Sequence, residues 1–148
     1  MTNIILYLID SSYTCRKKTE NMTIKKLLYN LHEEHKTWLN TLAFYADDIK
    51  ILNKRLAEVA AKNNSKETLA MVEHFQNKLI IQQDEIDKLN HNIREHEQYL
   101  EKQVNKNETA IDKRKENDHP VMRNQIETFT ILFDEMRKEF YRFLSGIM

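Results

Sequence analysis

The chain has 148 residues, 41% of them hydrophobic, which is about one domain's worth of sequence with enough apolar material for a core. Its 23 basic and 23 acidic side chains cancel, and neutralising nucleic-acid phosphates needs a basic excess, so nucleic acid is not the expected partner. One Gly and one Pro exclude glycine-rich phosphate loops, dinucleotide fingerprints and nucleophile elbows, and leave sheet hairpins without their usual punctuation, so an all-α chain is expected.

The first 21 residues fit no helical repeat. Their apolar run, Ile4-Ile5-Leu6-Tyr7-Leu8-Ile9, is too short to cross a bilayer, which takes ~20 residues. No basic side chain precedes it, and Arg16-Lys17-Lys18 follow it, so it is a poor signal peptide. Met22 reads as a second beginning. Residues 1–21 are therefore expected to be an appendage outside the core; the alternative is a short strand or helix packed on the end of a bundle. Cys15 is the sole cysteine, which excludes an intrachain disulfide and points to a reducing compartment, the cytoplasm. Without a secretory signal the Asn-x-Ser/Thr triplets at Asn21, Asn63 and Asn107 carry no weight.

From Ile24 onward, steps of four and three residues give Ile24, Leu28, Leu31, His35, Trp38, Leu42, Tyr45, Ile49, Leu52, Leu56 and Val59. This 3.5-residue repeat is that of a helix in left-handed supercoiled packing, and it predicts a helix over 23–62. Lys62-Asn63-Asn64-Ser65 breaks it. Asn64 or Ser65 can cap the next helix, and Asn64 with Glu67 resembles a capping box. A second helix is predicted over 66–104, with the stripe Val72, Phe75, Leu79, Gln82, Ile86, Leu89, Ile93, His96 and Leu100. Residues 105–119 are polar and aperiodic, and their basic cluster Lys113-Arg114-Lys115 reads as a solvated loop. Pro120 suits the first turn of a third helix over 120–147, with Asp118 or His119 as its cap. That helix has a wholly apolar stripe from Met122 through Phe129, Phe133 and Phe140 to Ile147, with Ile131, Leu132, Tyr141 and Leu144 beside it.

Short connections between long stripes predict an elongated antiparallel three-helix bundle, coiled-coil-like, running up-down-up over residues 22–148. The third helix is the shortest, and which end of the hairpin it leaves bare depends on the path of 105–119; with a compact loop there, Leu52, Leu56, Val59, Val72 and Phe75 near the tight turn are expected to be half covered. Of these, Leu52, Leu56, Val59 and Phe75, with Tyr141 and Leu144 on the broad apolar arc, form the expected interface with a second copy, as a homodimer, or with another helical protein.

The histidines are the candidates for chemistry. Positions summing to ~128 lie level in a hairpin that turns near residue 64. His35 and His96 both occupy stripes within about one turn of each other, flanked by His32, Glu34 and Glu97. Imidazoles and a carboxylate in a bundle can ligate Zn, Fe or Mn, so His32, His35 and His96 form the candidate metal layer, the alternative being a buried polar layer. No Glu-x-x-His pair, the di-iron bundle motif, falls on a predicted helix. The carboxylates fall on predicted solvent faces, and Cys15 has no evident base, so no catalytic residue and no cofactor are expected. The C-terminal segment from Phe140 could lie on a membrane surface, but Glu135 and Glu139 counter Arg137, Lys138 and Arg142. The expected function is non-catalytic association, chiefly self-association; the alternative is a metal- or small-ligand-binding bundle.

Overall fold

A computed structural model describes the backbone over residues 2–106 and 113–147, and side-chain surroundings over 16, 18–20, 22–102 and 118–147. The described residues form three helices and no strand: α1 (Thr2–Lys62), α2 (Lys66–Lys106) and α3 (Lys113–Ile147). The protein is an all-α three-helix bundle. No described helix is long and apolar enough to cross a membrane.

The heptad stripes bury as their period requires. Leu42, Leu52 and Leu56 of α1, Leu79 of α2 and Phe133 and Phe140 of α3 have no measurable exposure. Each such side chain contributes about 1.5–3 kcal/mol by leaving water. Aromatic rings link the layers: Tyr45 packs on Phe129 and Phe133, and Phe75 meets Phe140 edge-on and stacks on Phe143. Asn63 Nδ2 donates to the carbonyl of Val59 at 2.8 Å where α1 ends. Ser65, rather than Asn64, caps α2. Its Oγ accepts the Thr68 N–H at 3.3 Å and donates to Glu67 Oε2 at 2.6 Å.

Two boundaries differ from those the sequence predicts. α1 starts at Thr2, with no break at residue 21. Among its described side chains before His35, none is buried. The Ile4–Ile9 run, Cys15 and the residues 107–112 of the connection lie outside what the structure describes at side-chain level. α3 starts at Lys113, so Pro120 lies inside it and not in its first turn. Proline has no N–H, so the Glu116 carbonyl loses its helical partner there.

This earlier start accompanies a different fit at the far end. Glu34 with Arg123, Tyr45 with Asp134 and Asp48 with Arg137 are each separated by 89 positions, so α1 and α3 run parallel in one register. Ile147 then stands level with Glu58, almost at the tight turn. Leu52, Leu56, Val72 and Phe75 are consequently enclosed within the chain, Leu144 is 8% exposed, and Val59 is partly buried against the core. The half-covered surface expected from a short third helix is thus filled by α3 itself. Of the six expected interface residues only Tyr141 is open, at 49% exposure.

Candidate functional site

Each helix brings one imidazole to a single level of the core. His35 of α1, His96 of α2 and His119 of α3 are 1%, 3% and 4% exposed. One ring nitrogen from each lies within 4.8 Å of the others, close enough to share an ion. His35 and His96 arrive on the stripes that carry Trp38 and Ile93. His119 arrives because the α3 stripe continues one step back from Met122, past Pro120. The His35 and His96 rings meet edge-on at 5.0 Å, and Trp38 lies 4.8 Å from the ring of His119.

Carboxylates hold two of the three rings. Glu97 accepts from His35 Nδ1 with one oxygen and from His32 Nδ1 with the other. That places the His35 proton on Nδ1, and its bare Nε2 faces His96 Nδ1 at 3.0 Å. Glu34 Oε2 accepts from His119 Nε2 at 2.6 Å, and Arg123 clamps the same carboxylate through Nε at 2.6 Å and Nη2 at 2.8 Å. The His119 ring therefore carries a proton on Nε2. Its Nδ1 is buried with no hydrogen-bond partner. A carboxylate behind an imidazole is the usual way a metal-binding ring is oriented and made more basic.

The titrations follow from these contacts. Burial lowers the His35 pKa below the usual value of 6.5, outweighing Glu97, so the ring is mainly neutral at pH 7, as a metal ligand must be. Burial pushes Glu97 up, but the bonds from His35 and His32 hold it below the usual carboxylate range. Exposed His32 is raised by its bond to Glu97. Arg123 and then His119 draw Glu34 from 4.5 down to about 2 against the upward push of burial. In the metal-free protein Glu34 stabilises the fold above its unfolded value of 4.5 and loses that contribution as pH falls toward about 2. Melting curves recorded between pH 5 and pH 3 should show Glu34→Gln flattening this part of the pH dependence, by on the order of 1 kcal/mol after solvent screening.

The structure revises the His32/His35/His96 layer read from sequence. His35 and His96 belong to the buried group. His32, one turn nearer the solvent-exposed stretch of α1, is spent on the outer oxygen of Glu97, and His119 takes its place. With α3 starting at Lys113, Glu116 and His119 also fall on one helix at Glu-x-x-His spacing, which the predicted helix ends had excluded; the Glu116 side chain lies outside the described residues. A cleft of about 230 Å³ between α2 and α3 borders the layer, lined by Asn92, Glu95, His96, Asp118, Val121, Met122 and Gln125. A larger groove of about 560 Å³ opens at the other end, between α1 and α3. No family model, curated protein or solved structure matches this chain.

Proposed function

We propose that this protein is a metal-binding helical bundle in which His35, His96 and His119 hold one divalent first-row transition ion. The observation that carries the reading is the convergence of three buried imidazoles from three helices, with one lone pair left without a partner. A buried acceptor left unbonded costs about 1–3 kcal/mol, and an ion at this point would remove that cost. Imidazole donors suit Zn, Cu, Fe and Ni, and the two backing carboxylates favour a cation. With one ligand per helix, the ion acts as a clamp tying α3 to the α1–α2 hairpin, a non-catalytic role. Untagged protein reconstituted with Zn, Fe or Mn and then desalted should carry about one ion per chain by elemental analysis, through its three imidazoles. Protein that retains none, or a His119→Asn variant that retains as much, overturns the reading.

A second reading is self-association. It is supported by the groove between α1 and α3, where Ile51 and Tyr141 are open to solvent beside Arg55, Glu58 and Lys62, over a floor of Val59, Leu144 and Ile147. The proposed occupant is the same groove of a second copy, because the α1 side of the groove carries both charge signs and a two-fold pairing can match Glu58 with Lys62. A lone cysteine fits a reducing compartment such as the cytoplasm. Sedimentation that stays monomeric across a wide concentration range would remove this reading.

A further inference from the structure

Among the described residues three donors converge on the site, and most divalent transition ions take at least four. Among the described residues no fourth His, Cys, Asp or Glu joins the group. The two carboxylates that bond these rings are committed to them and to their neighbours: Glu97 to His32 and His35, and Glu34 to His119 and Arg123. Closed structural sites have four protein ligands, whereas sites with three keep a position for water or another small molecule.

The surroundings of the layer are unequal in the access they give. Toward the bundle interior Trp38 packs against both His119 and His35 and closes that side with an apolar ring. At the α2–α3 seam His96 instead forms part of the wall of the cleft. Asn92, Glu95, Asp118 and Gln125 give that cleft polar walls, and its volume of about 230 Å³ accommodates several waters at ~30 Å³ each. A cleft of this volume and polarity admits small hydrophilic molecules as far as His96.

We propose that the ion held by His35, His96 and His119 keeps one exchangeable coordination position, reached through this cleft, that takes a small monodentate ligand: water at rest, and a small anion in its place. The inference rests on the metal-binding reading above. Its test uses the full chain loaded with Co²⁺, whose visible spectrum reports coordination, and azide as the probe. Azide should change the spectrum saturably while Co²⁺ stays bound. Gln125→Trp, placed at an exposed position on the cleft wall, should leave Co²⁺ affinity within about twofold and weaken azide binding at least tenfold, by filling the route without touching a ligand. If Co²⁺ binds and azide leaves the spectrum unchanged, the position is closed and this inference fails while the metal reading stands. If azide binds equally well to the Gln125→Trp protein, the cleft is not the route and the proposal is overturned in that part. If Co²⁺ does not bind, both fall together.

Discussion

Zinc is expected to raise the melting temperature of the metal-free protein by on the order of 10 °C. An ion that binds only the folded state stabilises it by RT ln(1 + [L]/Kd), about 4 kcal/mol when free zinc exceeds Kd a thousandfold, and a chain of this size gains roughly 2–4 °C per kcal/mol. The expected response depends on the three imidazoles together. In the triple variant His35→Leu, His96→Leu and His119→Leu, the zinc response should vanish. The metal-free triple variant should nevertheless be more stable than the metal-free parent, by about 1–3 kcal/mol, because a buried polar layer with an unmet lone pair gives way to apolar side chains on existing apolar stripes. Differential scanning calorimetry with and without zinc measures both effects. A triple variant that still gains stability from zinc would place the ion elsewhere. A triple variant less stable than the metal-free parent would show that the histidine layer is a well-satisfied structural device needing no ion.

The bundle was legible because apolar periodicity reports burial directly. Every α1 stripe residue from His35 to Leu56 is buried, and so are Met122, Ile126, Phe129, Phe133, Met136 and Phe140 in α3. The same signal is silent about polar residues that enter a core. His119 is the example: counting the α3 stripe back from Met122 lands on it, but Pro120 beside it reads as a helix start, and the preceding Lys113-Arg114-Lys115-Glu116-Asn117-Asp118 offers no apolar residue to argue otherwise. A proline marks a favoured helix start without forbidding an earlier one, since its ring conflicts only with the turn before it. Moving the helix start back then changed two conclusions. It brought a third imidazole to His35 and His96, and it displaced His32 from the candidate site. The covered surface near the tight turn had a separate cause, the register between α1 and α3. Glu34, Asp48, Arg123 and Arg137 mark that register through contacts between partly exposed edges, and charges of this kind occur at many positions along all three helices, so their pairing could not be singled out from spacing alone.

The position where that register matters most for stability is Phe75. Were the end of the hairpin half covered, truncating this ring would weaken association and leave the fold nearly intact. Instead Phe75 is 2% exposed, between Phe140 and Phe143 of α3, with its ring 5.3 Å and 5.4 Å from theirs. Phe75→Ala should therefore cost about 3–5 kcal/mol, from lost apolar burial plus the cavity left between α2 and α3. That is a large share of the 5–15 kcal/mol typical of a domain. Urea denaturation would show the midpoint collapse with little change in slope, at every protein concentration alike. Tyr141→Ser supplies the contrast. Tyr141 is half exposed on the groove, so its truncation should change folding stability by less than about 1 kcal/mol. Any dimer present in the parent should dissociate at higher concentration in that variant. A Phe75→Ala protein as stable as the parent, differing only in association, would mean that α3 does not cover the hairpin near its turn.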